Sequence, residues 1–132
     1  MLKALGLFFI LLVGGMIALY GGMQNGSVLR FLDGHPDSRW VPAAQYGLAQ
    51  GYYFFQDLPE AATYFIRIPT QYPSSSLADD AYFNYLECLD DMASVPRAER
   101  VERSKKYLQQ FPGGKHAASV QNRLEAYQMG SR

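Results

Sequence analysis

Few residues in this chain could carry chemistry. The histidines are His35 and His116, and the lone cysteine is Cys88. Neither histidine has an acidic or cysteine neighbour at metal-ligand spacing, so each is expected in a turn or helix cap. Cys88 has no partner for a disulfide or a CxxC redox pair, and is expected to pack as a small apolar side chain. No Ser-His-Asp set, phosphate-binding glycine loop or dinucleotide fingerprint occurs. The expectation is a non-enzyme with no catalytic residue, no metal and no cofactor.

The remaining candidates are charges. Twelve basic and twelve acidic residues cancel, which argues against nucleic acid as a partner. They are unevenly placed: Pro73 to Pro96 holds five acids (Asp79, Asp80, Glu87, Asp90, Asp91) and no base, whereas Arg97 to Arg132 holds eight bases and three acids. Glu99 with Arg103, and Glu102 with Lys106, are four-apart pairs suited to a solvated helix. Acidic and basic faces of this kind can also orient a protein partner.

The elements that position these residues begin with an apolar run. From Ala4 to Met23 there are twenty uncharged residues, about 30 Å as a helix and enough to cross the hydrocarbon core of a bilayer. The run is long for a signal peptide and lacks a well-spaced small-x-small site, so residues 1–23 are expected to remain as a transmembrane anchor. Within it Gly14, Ala18 and Gly22 recur every four residues, a stripe of small side chains that lets another membrane helix approach closely. Lys3 precedes the run, and Arg30 and Arg39 follow it; the commoner signal-anchor arrangement puts the C-terminal part outside, which in a bacterium is the periplasm.

Residues 24–37 read as a juxtamembrane linker rich in Gly, Asn, Asp and Pro, with an apolar patch at Val28, Leu29, Phe31 and Leu32. Apolar spacing and breakers then predict five helices in residues 38–129: Ser38 to Gln56, Pro59 to Gln71, Ser76 to Met92, Arg97 to Gln110, and Lys115 to Met129. Residues 130–132 form a tail. Pro59 and Pro96 fall at helix starts, Pro69 late in a helix where it should kink or fray the end, and Ser74 to Ser76 offer an N-cap.

A proline follows a ring-bearing residue three times, at His35-Pro36, Tyr72-Pro73 and Phe111-Pro112. Aligned on these prolines, Ala44, Ala81 and Val120 lie eight residues on, and Leu48, Tyr85 and Leu124 twelve on. Recurrence at 37 and then 39 residues indicates helical hairpins stacked as a short solenoid, so the fold class is all-α: one transmembrane helix and about five repeat helices.

These residues resemble the tetratricopeptide repeat. With Ala61 as the small residue of a second helix, Leu48, Tyr52, Phe65 and Pro73 fall on the family's leucine, tyrosine, phenylalanine and terminal proline. Tyr72 to Tyr82 is similar to the longer-period repeats of bacterial envelope proteins, such as the barrel-assembly lipoprotein and the Tol-Pal periplasmic coordinator. Gln45 stands where the family often has tryptophan, and Ala49 where it often has glycine. The resemblance implies a ligand-holding inner face made by the first helix of each hairpin. That face would present Tyr46, Gln50, Tyr53 and Phe54, then Phe83, Glu87, Asp90 and Asp91. Two hairpins and a closing helix are fewer than the three repeats usually needed for stability, so the ends are expected to be covered by something else.

The resulting expectation is an accessory subunit of a larger membrane complex, for which respiratory and photosynthetic complexes are natural hosts. Its partners would be other membrane subunits through the stripe, a protein on the repeat domain, and the lipid bilayer. The alternative is an envelope-assembly or division scaffold.

Overall fold

The structure, a computed structural model, describes residues 2–130, with side chains from Ala4 onward. Met1, Ser131 and Arg132, and with the last two most of the expected tail, lie outside the described residues. The described chain is all-helical, and it divides into two compact units, Met1–Val41 and Pro42–Arg132.

In the first unit, α1 (Leu2–Gln24) contains one stretch, Ala4–Gln24, long and apolar enough to cross a membrane; it is exposed from Ala4 to Leu19, and Met23 near its end is buried. The expected linker is not irregular: it contains a further helix, α2 (Ser27–Asp33). The sequence reading missed it because the element is short and its apolar residues follow turn-forming ones. The turn is made by Gly26, left-handed at φ 70°, a conformation that glycine reaches without a Cβ clash. Ser27 Oγ donates to the Gly22 carbonyl at 3.2 Å. A β-carbon at Gly22 would sit 3.7 Å from Val28 Cγ2, so α2 folds back against the last turn of α1.

The second unit holds α3 (Val41–Phe54) from its second residue on, α4 (Leu58–Gln71), α5 (Ala78–Asp91), α6 (Arg97–Gln110) and α7 (Ala117–Met129). Each expected repeat helix is present: the first, third and fifth are shorter at one or both ends, the second begins one residue earlier, and the bounds of the fourth coincide. Pro59 occupies the first turn of α4 and Pro96 the N-cap of α6, where a missing N–H is harmless. Pro69 lies buried inside α4 only two residues from its end. No side chain caps α5: its cap residue is Leu77, and Ser75 Oγ instead accepts the Leu77 N–H at 3.2 Å in the preceding turn.

The three ring-proline junctions share one backbone pattern. The ring residue's carbonyl accepts an N–H three residues on, whose own carbonyl accepts another three further on: His35, Ser38, Val41; Tyr72, Ser75, Ala78; Phe111, Gly114, Ala117. Tyr72 (φ −130°, ψ 59°) and Phe111 (φ −127°, ψ 63°) end α4 and α6 in nearly the same conformation, each N–H still bonded to the carbonyl four residues back. Proline next in line removes the N–H that would continue the helix.

The positions twelve after each proline, Leu48, Tyr85 and Leu124, are all buried, as are Ala81 and Val120 eight after theirs. Helices α4 and α5 pack against each other, with Ala61, Ala62, Ala78 and Ala81 buried on them. Between α3 and α4 rings fill the space instead: Tyr52 stacks on Tyr64 at 5.2 Å, and Tyr46 meets Phe65 edge-on at 5.5 Å. Gln45 is a polar member of this core, 1% exposed, with its amide nitrogen 3.4 Å from Gln71 Oε1. Beyond Val120 and Leu124, α7 exposes the polar residues Ser119, Gln121, Asn122, Glu125 and Gln128 together with Ala118, Ala126 and Met129.

Candidate functional site

Helices α3 and α5 flank a groove of about 750 Å³, lined by Gln50, Tyr53, Phe54, Gln56, Phe65, Phe83, Asn84 and Glu87. Both helices are fixed by their opposite faces. Leu48, Ala49 and Tyr52 are buried on α3, and Ala81, Tyr85, Cys88 and Leu89 on α5, which turns the intervening residues toward the groove. Five of the eight expected face residues line it: Gln50, Tyr53, Phe54, Phe83 and Glu87. The run from Tyr52 to Phe55 splits as helical geometry requires, with Tyr52 2% exposed and Phe54 70% exposed.

The other three expected residues serve the walls. Tyr46 accepts a hydrogen bond from Asn84 Nδ2 at 2.6 Å, and Tyr53 donates to Asp91 Oδ2 at 3.0 Å, so both tie α3 to α5. The Asp91 carboxylate holds the Tyr53 hydroxyl proton in place and raises its pKa. Asp90 bonds Arg123 Nη1 at 3.0 Å and the Tyr127 hydroxyl.

Three lining residues escaped the sequence reading. Asn84 had a signal: it is three before Glu87 and seven before Asp91, hence on their helical face. Phe65 is placed at the groove by its helix partner across a turn, which spacing within one helix does not report. Gln56 is the third, and it is strained. It follows α3 at φ 62°, a left-handed conformation usually given to glycine. Its N–H bonds the Tyr53 carbonyl at 3.0 Å, and Asp57 N–H reaches the Tyr52 carbonyl at 2.9 Å, the paired bonds of a Schellman stop. Its own amide turns back to the Tyr53 carbonyl at 3.3 Å.

The acid-rich stretch is engaged inside the domain rather than free for a partner. Asp79 accepts the Tyr107 hydroxyl and, at 2.7 Å, the Lys115 backbone N–H. Asp80 pairs with Lys115 Nζ at 3.2 Å and His116 Nε2 at 2.6 Å, and the His116 bond above all holds its carboxyl below the usual range. Glu87 and Asp90 share Arg123, and Asp91 holds Tyr53. All five carboxylates of α5 thus have partners on α3, α6, α7 or the turn before α7. Glu87, Asp90 and Asp91 are thus hydrogen-bonded by facing bases and phenols, and Glu87 also lines the groove.

His116 stacks on Phe83 at 4.0 Å and 8°, while the Arg123 guanidinium lies 5.4 Å from the same ring's centroid. One wall of the groove is therefore backed by α7. Cys88 is fully buried, and burial pushes its thiol up to about 12, leaving no thiolate near neutral pH. Among the described residues, no group of three or more His, Cys, Asp or Glu is placed to hold a metal ion. The pairs Glu99–Arg103 (3.7 Å) and Glu102–Lys106 (2.8 Å) both form along exposed parts of α6.

On α1 the small-residue stripe divides. Gly14 has open space where a side chain would project and Ala18 is exposed, whereas Gly22 is occupied by α2 through Val28. The groove offers exposed rings, amides and carboxylates already paired within the domain. No protein-family model matches the chain, and no curated protein matches it significantly.

Proposed function

We propose that this protein is a non-enzymatic, membrane-anchored interaction subunit, an accessory or stabilising component of a larger membrane complex. The observation that carries the reading is the groove between α3 and α5, where Tyr53 and Phe54 on one side face Phe83 on the other. Aromatic anchors beside amides such as Gln50 and Asn84 suit a protein segment, which buries rings and satisfies its backbone on the amides. Helix α1 supplies the anchor, and the open Gly14–Ala18 part of its stripe supplies the surface for a neighbouring membrane helix. On this reading the repeat domain is of the tetratricopeptide kind and lies on the periplasmic side of a bacterial inner membrane. Respiratory and photosynthetic assemblies are natural hosts.

Mild-detergent extraction followed by native electrophoresis tests the proposal. The protein should migrate in one large stoichiometric complex, and Phe54→Ser, at an exposed groove residue, should release a component held by the repeat domain. Gly14→Leu, which meets open space in this fold, should loosen the membrane contact. A free monomer from the native membrane would overturn the reading. Transient cross-links to barrel-assembly or Tol-Pal components, without a stable complex, would replace it with the envelope-scaffold alternative.

A further inference from the structure

Three rings of the first unit contact one another: Phe31 lies 4.8 Å from His35 and 5.9 Å from Trp40, and His35 lies 6.2 Å from Trp40. His35 Nδ1 is 2.9 Å from the Phe31 carbonyl, which fixes the cluster to the end of α2. The rings are nevertheless open, Phe31 59% and Trp40 45% exposed.

That exposure departs from the repeat's own rule. Phe31 stands five residues before Pro36, as Ile68 does before Pro73 and Tyr107 before Pro112. Ile68 and Tyr107 are fully buried, so this position is ordinarily covered by the domain. At the first junction its covering must come from elsewhere.

We infer that α2 and the Phe31–His35–Trp40 cluster form a foot embedded in the lipid headgroup and upper acyl layer of the bilayer that α1 crosses. The inference rests on α1 crossing the membrane, the anchor part of the function proposed above. The argument is one of reach. The apolar stretch ends at Gln24, and α2 is folded back so that Val28 packs at Gly22, inside the last turn of that stretch. Ser27 is bonded to Gly22, and Phe31 lies four helical residues, about 6 Å, farther along α2, so Phe31 stays within about 10 Å of the end of the span. The headgroup region on each side of a bilayer is about 5–8 Å thick, which places the cluster within or beside it. Tryptophan and other amphipathic rings favour this layer because their apolar faces enter the acyl boundary while their polar edges stay wet. The residues around them suit it: Leu29 adds apolar surface, while Arg30 and Asp33 are exposed, polar and able to remain in water.

Trp40 is the chain's single tryptophan, so its fluorescence reports the foot alone. The full chain is reconstituted in phosphatidylcholine vesicles whose acyl chains carry bromine either near the glycerol end or near the methyl end. Trp40 should emit to the blue of a water-exposed indole, lose more emission to the shallow bromines than to the deep ones, and resist aqueous acrylamide. Phe31→Ser should weaken the shallow quenching while leaving the protein resistant to alkaline carbonate extraction. Acrylamide quenching without bromine quenching, in a carbonate-resistant protein, would overturn the foot and spare the anchor. A blue-shifted emission untouched by either bromine would show that protein covers the cluster, and would overturn it as well. Carbonate-extractable protein would overturn anchor and foot together.

Discussion

Replacing Arg123 by methionine keeps most of the side chain's apolar length and removes its charge, which isolates what the ion pairs contribute. Arg123 is 19% exposed, and its partners Glu87 and Asp90 are 39% and 28% exposed. An exposed pair contributes about 0–1 kcal/mol, whereas truncating one partner of a buried pair costs about 3–5 kcal/mol. Intermediate burial, two carboxylates left facing each other, and the lost contact with Phe83 place this variant at about 2 kcal/mol of destabilisation. For a domain of this size, that lowers the thermal midpoint by about 10 °C. The assay is the cooperative loss of helical circular dichroism of the full chain in mild detergent, at low and at high salt. Arg123→Lys should fall between wild type and Arg123→Met, since an ammonium keeps the charge but not the fork that serves two carboxylates. Added salt should narrow the gap between wild type and Arg123→Met, because the pairs are partly solvated. A midpoint for Arg123→Met within about 2 °C of wild type would refute the reasoning, and would return Glu87 and Asp90 to the list of groups free to bind a partner.

Three further outcomes are expected. Gly114→Ala places a β-carbon 2.7 Å from Asp79 Oδ2 and 2.9 Å from the Tyr107 hydroxyl, a carboxylate already pinned by Lys115 N–H, so it should lower stability by about 1–3 kcal/mol. Gly113→Ala, with nothing within 4 Å, is the neutral control in the same thermal melt. Gln56→Gly removes a left-handed non-glycine residue and should raise stability by about 1 kcal/mol, read as a higher denaturation midpoint; an unchanged or lower midpoint would mean that its amide bond to Tyr53 matters more than its backbone. Asp80 has a folded pKa below its unfolded value, so its contribution is present above the ordinary carboxylate pKa and is lost as pH falls through the depressed one. The stability difference between wild type and Asp80→Asn should therefore be full at about pH 5 and fade below about pH 4; a difference constant over that window would exclude the linkage.

Much of the fold was legible because it is decided locally. Pro36, Pro73 and Pro112 end helices by covalent geometry, wherever the rest of the chain lies. The α2 helix was not legible, since a seven-residue helix has little intrinsic stability and forms here by packing on α1 at Gly22. The groove was half legible: helical spacing places Tyr53 and Phe54 opposite the buried Tyr52, while Phe65 and Gln56 arrive from another helix and from a stop that a glycine would have announced.

By itself, the sequence determined the period, the five repeat helices and the apolar stretch, and with the period many of the residues that meet. Bonds between successive repeats join residues 35 to 38 apart, from Lys115–Asp80 to Tyr46–Asn84 and Tyr53–Asp91, close to the recurrence of the prolines. Only the tertiary structure decided what those meetings do. A carboxylate on a helix surface can face water, a ligand or a base one repeat away, and its one-dimensional spacing is the same in all three cases. The choice belongs to the neighbour that desolvates it and offers a hydrogen at bonding distance. For Glu87 and Asp90 that neighbour is Arg123, which turns an apparent acidic docking face into a clasp behind an aromatic groove.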